Sequence, residues 1–600
     1  MTDPIPKFIA IDPPEIVQAV NELIDDINEA LEGPPGSGNV SNTGTPTAGQ
    51  LAVWTDAFTI QGSNALSVNN LNGGAGAAQG TFWQGNGAWA APIGAPITRA
   101  QISTMAILPA TFMVSGFSTT GDLGAGAIYS SQAAGPSSPM AIQNASGTWY
   151  GLVITGPANV GWFGAVGDGA TNDTAAIQAA IDWATAQLYG ASVLINNGIY
   201  IVQSSLVLKN GVTLYSNSDD TWTWSSGGRP RLKAGAGMTT PLIKDNGVSV
   251  SGAAVKGLYL IGAGVTFAQD AMNFTSASGC NFENLRIENF GKRGIVIAAG
   301  AVCSIRRVYM VNTGGIVSAT LSGSLDIGGT EHRVSDCEIG ANVPGVGSGS
   351  KLSANLFNNS VVCRGSGIWF TNVFAEFAEI GVVVTGSGQG NNKFVYCVSD
   401  NCVAHGVKVE SGTRTNVFIG HQVQRCGHDA DNTYDGYWVQ GIATRLMGCV
   451  VTGFSDANRL RYGFNDDSSS GFAGNQNLYN DCISYEHRTA AYHNSVGAQR
   501  ARFLMPFIGN QLAVVGVNQS LNVEAIQSCV VSAASAASVS TIAGGQRGQS
   551  TRFTFADANT TFNNGANLVT PGGTGFTGST ASVWDGFTPD GTKWYMKQFA

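Results

Sequence analysis

The sequence predicts an all-β solenoid, a parallel β-helix, on three observations. Short β-rich runs that follow a glycine recur as Gly294-Ile-Val-Ile, Gly315-Ile-Val, Gly381-Val-Val-Val, Gly406-Val-Lys-Val, Gly436-Tyr-Trp-Val and Gly463-Phe. Neighbouring glycines stand 21 residues (294 to 315), 25 (381 to 406), 30 (406 to 436) and 27 (436 to 463) apart, with a gap from 315 to 381 that would hold further coils or a loop. Periods of this size without helical patterning mean stacked β coils. Composition agrees: Gly is 80 of 600 residues and charged residues are 12%, against typical values of about 7% and about 25%. The surface must therefore be built from Asn, Ser, Thr, Gln and Gly. About a dozen coils at ~4.8 Å each would give a stack on the order of 55 Å.

The repeat is preceded by Gly161-Trp-Phe-Gly-Ala-Val-Gly-Asp-Gly169, Ala170-Thr-Asn-Asp-Thr174, a helical pattern and Ala191-Ser-Val-Leu-Ile195. Gly167 and Gly169 bracket Asp168 and permit a tight turn at positive φ. Asp173 or Thr174 can N-cap the helix, whose Ile177, Ala180, Ile181, Ala184 and Leu188 share one apolar face. Gly190 is a plausible stop, and Gly198-Ile-Tyr-Ile-Val202 supplies the next strand. A phosphate-binding loop is set aside because no Lys-Ser/Thr pair follows Gly169.

These residues resemble the opening motif of the pectate-lyase-like right-handed β-helix superfamily, in the form carried by bacteriophage tailspikes. The resemblance lies in the turn Gly164-Ala-Val-Gly-Asp-Gly169 with Asp173-Thr174, the capping helix and the glycine-tyrosine strand pair, in that order. It implies a right-handed parallel β-helix over 159–500, with a capping helix over 174–189. It also implies a homotrimer on a virion tail, attached through its N-terminus to tail or baseplate proteins and directed at a host surface polysaccharide.

Taken in order, residues 13–32 read as a helix starting at Pro13-Pro14 and stopping at Gly33-Pro-Pro35, with Ile16, Val20, Leu23, Ile27 and Ala30 as an a/d stripe. Within a segment 1–35 it serves either oligomerisation and particle attachment or packing on its own chain. Residues 36–92 form a Gly-rich, linker-like arm, in which Gly80-Thr-Phe-Trp-Gln-Gly-Asn-Gly-Ala-Trp89 is similar to segments of phage tail appendages. Residues 93–158 suggest a small β neck domain. Residues 501–600 lose the period and resemble the terminal β domain of tailspikes, where chains trimerise and glycans bind. Trp584, Trp594 and Tyr595 there are either sugar platforms or core aromatics.

A net charge of −9 without a basic run argues against nucleic acid and anionic membrane surfaces as partners. No apolar stretch is long enough to span a bilayer, and the start lacks a basic-then-apolar pattern, so no signal peptide is expected and synthesis falls in the host cytoplasm. Ten cysteines lie at coil-like intervals. Cys397-x4-Cys402 with His405 is the nearest approach to a metal cluster, but buried free thiols are the better reading, and neither metal nor cofactor is expected.

Residues at one phase of a solenoid form an outer column. Counting back five or six positions from the strand glycines gives Glu288, Glu376, Asp400 and Asp431, and aligning Cys482 with Cys397 sets Glu486 opposite Asn401. Adjacent coils place such carboxylates about 5 Å apart and alternate coils about 10 Å apart, which brackets the retaining (~5–5.5 Å) and inverting (~6.5–9.5 Å) glycosidase spacings. Glu376 with Asp400 is the expected acid and base or nucleophile pair, with Glu486 or Asp431 extending the cleft. Structural roles in capping turns or facing water are the alternative. Tyr485, His487, Arg488, His405, Tyr434 and Trp438 are expected to bind substrate, with His421, His428 and Arg425 nearby. Tyr485-Glu-His-Arg488 would equally suit a lyase, which needs a base and a uronate-neutralising cation. The choice between hydrolase, lyase and a non-enzymatic receptor-binding spike stays open at this level, with a cellular pectinase or epimerase as a third alternative.

Overall fold

The computed structural model describes residue 25, the short strands within 51–90, and 97–598 apart from 134, 136–139, 188–189, 219–229, 315–320, 341–358, 429, 454–459, 469–476, 486, 495–500, 504–510, 515–518, 523–527, 533–535, 544–548, 556–557, 580–581 and 590. The helix expected over 13–32 lies outside these residues except for Asp25, which is helical. The chain divides into one unit of Met1–Ala95 with Ile107–Pro109 and another of the remainder. In the first, Leu51–Trp54 pairs antiparallel with Ile60–Ser63, and Phe82–Trp83 with Trp89–Ala90. The second unit opens on a four-stranded antiparallel sheet of Thr111–Met113, Ile128–Gln132, Trp149–Val153 and Ile142–Gln143.

Gly167 and Gly169 take φ of 66° and 79°, as the turn requires. Asp173 does not cap the helix with its side chain. Its carboxylate instead accepts the N–H groups of Val166 (2.6 Å) and Gly167 (3.2 Å), locking the turn from below, while Asn172 Oδ1 accepts the Thr174 N–H at 3.1 Å. The helix covers Thr174–Thr185, with Ala186 at its C-cap, shorter than expected, and residues 188–189 of the expected span lie outside the described residues. Ile177, Ala180, Ile181 and Ala184 are fully buried beneath it.

From there the coils stack in parallel into a 21-stranded and an 11-stranded sheet. Parallel crossovers of this kind are right-handed. Each coil contributes two faces to the larger sheet, joined at a corner that demands φ near +50°. Asn284, Arg307, Asp336, Asn372, Tyr396 and Asp481 hold that corner at 51–54°, and Gly257, Gly420 and Gly448 hold it in other coils. Asn and Asp tolerate this region better than most side chains, and glycine does so freely. The 11-stranded sheet is the third face.

Inward positions stack like on like. Phe370, Phe394 and Phe418 lie face to face on successive coils, with centroids 4.5 and 4.6 Å apart. Behind the corner, Cys337, Val373, Cys397, His421, Cys449 and Cys482 form one inward column by register, whereas Cys402 and Cys426 neighbour each other elsewhere. The nine cysteines with described side chains are buried free thiols. His421 replaces a cysteine in this column. Burial pushes its pKa down to about 3, and Tyr437 Oη (2.7 Å) and Ser399 Oγ (3.3 Å) satisfy its two nitrogens.

The C-terminal region packs a six-stranded against a four-stranded sheet. Their shared core holds Val531, Phe553, Phe555, Phe562, Trp584 and Trp594. Trp584 and Trp594 are therefore core residues rather than sugar platforms, while Tyr595 points outward at 45% exposure.

Candidate active site

On a strand, alternate residues face outward, so each coil of the second face displays two outer positions. One outer column runs Ile261, Glu288, Val311, Gly340, Glu376, Asp400, Gln424, Thr452, Tyr485; the other, two residues earlier, runs Tyr259, Arg286, Tyr309, Glu338, Phe374, Val398, Gln422. Glu376 and Asp400 are Cα partners on adjacent coils. Glu338 lies diagonally from Glu376, one coil back, and the two carboxyl groups hydrogen-bond each other. The coil below Glu376 carries Gly340, where an ideal Cβ would stand 3.6 Å from Glu376 Oε1, so the absent side chain leaves the carboxyl room.

Burial is the main force on Glu376, and the Glu338 charge and hydrogen bond add to it, followed by the Asp400 charge; Arg425 opposes them. The result is a pKa raised to about 8. Burial likewise raises Glu338. Two carboxyls this close cannot both ionise cheaply, which raises the proton affinity of Glu376. Asp400 has a different partner: Arg425 Nε donates to Oδ1 at 2.9 Å and Nη2 donates to Oδ2, a two-point grip. At the other end, Arg286 donates through Nε (3.1 Å) and Nη2 (2.9 Å) to Glu288 Oε2, and Tyr259 Oη donates to the same oxygen. The guanidinium also lies 5.1 Å from the Tyr259 ring centroid and 5.3 Å from that of Tyr309. Burial, then the Glu338 charge, pushes Tyr309 up to about 12.

The other expected site residues fall elsewhere. Tyr485 shares the Glu376–Asp400 column but stands three coils beyond Asp400 and is exposed. Asp431 is not in the column. The step from Arg425 to Tyr437 is 12 positions where that from Asn401 to Val407 is six, so the glycine count lands in a lengthened turn, and the column position there is Gln424. Asp431 accepts Arg488 Nε at 3.0 and 2.9 Å instead. His487 meets Ser484 Oγ through Nδ1 at 3.2 Å, so it and Arg488 start the third face rather than join the carboxylates. Glu486 lies outside the described residues. His405, Tyr434 and Trp438 belong to the third face, around the next corner. Burial holds His405 down to about 4, and its Nδ1 accepts the Asp435 N–H at 3.0 Å. His428 is lowered by burial too, against the Asp400 charge.

Sequence reasoning missed Glu338, Tyr259, Arg286 and Tyr309. The signal was the period of two: residues 286, 338 and 374 stand two places before column members on the same outer face.

Residues 158–315 match the family described as rhamnogalacturonase A/epimerase, pectate lyase-like. No curated protein sequence matches the chain. Among solved structures, the chain is similar to tailspike protein 2 of an Escherichia coli O157:H7 bacteriophage, at 12% identity and a TM-score of 0.47, over 85% of this chain and 72% of that one. It is similar to the tailspike protein of an Acinetobacter phage at 12% identity and a TM-score of 0.43, over 84% and 90% of the two chains. A mannuronan C-5 epimerase A-module from Azotobacter vinelandii gives 17% identity and a TM-score of 0.35, over 58% of this chain and 100% of that one. With its locked opening turn, capping helix and parallel coils, the chain is a right-handed parallel β-helix whose segment 158–315 is similar to the pectate-lyase-like family.

Proposed function

We propose that the protein is a phage tailspike that binds a bacterial surface polysaccharide, capsule or O-antigen, and hydrolyses its glycosidic bonds at Glu376 and Asp400. The observation that carries this reading is a pair of carboxyls side by side on adjacent coils, Glu376 with its pKa raised to about 8 and Asp400 gripped by Arg425. Glu376, kept protonated by burial and Glu338, donates its proton to the glycosidic oxygen as the C–O bond breaks. Asp400, held by Arg425, acts opposite it as nucleophile or base. Adjacent coils stand ~4.8 Å apart, near the retaining spacing of ~5–5.5 Å. Hydrolysis is favoured over elimination because both guanidiniums at the cluster are committed to its own carboxylates, Arg286 to Glu288 and Arg425 to Asp400. A lyase would need such a cation turned toward the uronate of its substrate.

Incubation with surface polysaccharides from a panel of hosts, followed by reducing ends and by the ultraviolet absorbance of unsaturated uronates, tests this. New reducing ends without absorbance are expected. Absorbance would replace hydrolysis by elimination, and binding without either would leave a receptor-binding spike.

Trimerisation is part of the same reading. The first face carries an outward apolar stripe of Val395, Ile419 and Met447 in register, flanked by Trp369 and Tyr396 at 48% and 67% exposure. Contiguous apolar surface of this kind mostly marks an interface. The mass in solution is expected near three times 62.0 kDa. A monomer at micromolar concentration would defeat the tailspike reading.

A further inference from the structure

We propose that the second face beyond Asp400 is a track for uncharged sugar units that ends on Tyr485, so that the polymer lies along the stack of coils rather than across it. The inference deepens the reading of the protein as a polysaccharide-binding hydrolase and rests on it.

The register carries the two outward columns of the carboxyl site straight on. Asp400 is followed by Gln424, Thr452 and Tyr485 on the next three coils, and Val398 by Gln422, Val450 and Ile483. All six of these side chains are exposed or half-buried, and all six are uncharged. At ~4.8 Å per coil, Tyr485 stands about 14 Å from Asp400 along the stack. That span takes a short run of sugar rings, and evenly stacked coils present the same two outward positions at each step, as a repeating polymer requires.

The track has the chemistry of hydroxyl and C–H recognition. Gln424 and Gln422 are joined by an amide hydrogen bond of 2.6 Å, with Gln424 Nε2 donating to Gln422 Oε1. Whichever amide of the pair donates, one carbonyl oxygen and one amide nitrogen are left to face a ligand, held by the bond between them. On the next coil Thr452 Oγ1 donates to the Val423 carbonyl at 3.4 Å, which leaves its oxygen to accept. Val450 and Ile483 supply apolar contact between these polar positions. At the end, the Tyr485 ring is 47% exposed on a strand whose backbone is tied to the coil below through the Ile483 N–H (2.9 Å to the Cys449 carbonyl) and the Tyr485 carbonyl (3.3 Å from the Gly453 N–H). An aromatic ring on a fixed backbone offers area to a sugar face at a small entropic cost. The charges at the head of the track point the same way. Arg425, beside Gln424, is committed to Asp400 through two hydrogen bonds, so an acidic sugar entering here would meet the carboxyl groups of Glu376 and Asp400 with that guanidinium already engaged.

The test uses the full-length protein, a host polysaccharide that it cleaves, and a ladder of oligosaccharides from partial digestion of that polymer, sorted by length. For the wild type, kcat/KM should climb with chain length until the chain reaches Tyr485, then level off. Tyr485→Ala, with thermal melting to confirm the fold, should lose about tenfold in kcat/KM on long chains, equivalent to roughly 1.4 kcal/mol. The deficit should shrink with length and vanish on fragments too short to reach the ring, and Tyr485→Phe, which keeps the ring, should recover most of it. An unchanged kcat/KM on long chains overturns the track while leaving the carboxyl site standing, and so does an equal loss at every length. Cleavage confined to polymers with an acid group on every sugar overturns the uncharged track. If the polysaccharide is bound but not cleaved, hydrolysis fails and the track is judged by the same tenfold in the Kd of long chains. A wild-type protein that neither binds nor cleaves any polysaccharide overturns the track together with the reading it rests on.

Discussion

Glu376→Gln should lower turnover of a cleavable polysaccharide on the order of 1,000-fold while leaving the polymer bound. The amide keeps the shape of the carboxyl and its room above Gly340 but has no proton of suitable acidity to give. Asp400→Asn should cost as much, for the opposite reason: it removes the charge that Arg425 holds in place. Retained turnover in both variants would reject the assignment. The pH profile gives a sharper check. The active form of Glu376 is the protonated one, and its pKa stands at about 8, so activity should hold through neutrality and fall as pH rises past about 8. Glu338→Gln removes the like charge and the ionisable partner, so the basic limb should move to lower pH. A limb that stays put would mean that Glu338 does not govern the acid. Stability should follow the same linkage. A carboxyl raised from 4.5 to about 8 on folding binds more protons folded than unfolded between those values, so its contribution is full below about 4.5 and is lost as pH rises through 8. Glu376→Gln should therefore raise the melting temperature more at pH 9 than at pH 5, the pattern expected of a strained functional group.

The carboxyl pair was legible in the sequence for a mechanical reason. Where the turn after the second face has nearly constant length, as after Glu376 and Asp400, a fixed count from the strand glycine returns to the same outer column. Where the turn lengthens, as between Arg425 and Tyr437, the same count leaves the column and lands on Asp431. Glu338 stayed hidden because the third-face strand of its coil, Asn359–Cys363, opens on asparagine, so no glycine marks its phase. His405, Tyr434 and Trp438 were grouped with the carboxylates but lie on the third face, because nearness along a coil says nothing of the corner between two faces. Tyr259, Arg286 and Tyr309 are spread over three coils and meet only through register. The opening turn was read correctly in its glycines, and Asp173 does stand at the helix N-cap, but its carboxylate serves the turn behind it rather than the helix ahead.

Phe394→Ala should destabilise the coils around it by ~3–5 kcal/mol. Phe394 is 1% exposed and sandwiched between Phe370 and Phe418 with interplanar angles of 3° and 7°, so its removal exposes two ring faces to a void that neither neighbour can fill without leaving its own stack. In a solenoid each coil rests only on its neighbours, so the loss should appear first as local opening. The coil that opens is the one carrying Asp400, six residues beyond Phe394, and the next one supplies its Arg425. Amide exchange should therefore quicken at Tyr396, whose N–H donates to the Ile419 carbonyl at 2.8 Å, and at Asn401, whose N–H donates to that of Gln424 at 3.2 Å. The amides of the C-terminal sheets should keep their protection. Activity should fall at temperatures well below the global melt, because the carboxylate and its guanidinium part before the fold does. Phe394→Leu, which restores most of the volume, should recover much of both. Unchanged exchange at Tyr396 and Asn401 in the alanine variant would mean that the stack does not hold the site, and that the registration of Asp400 against Glu376 rests on the backbone ladder alone.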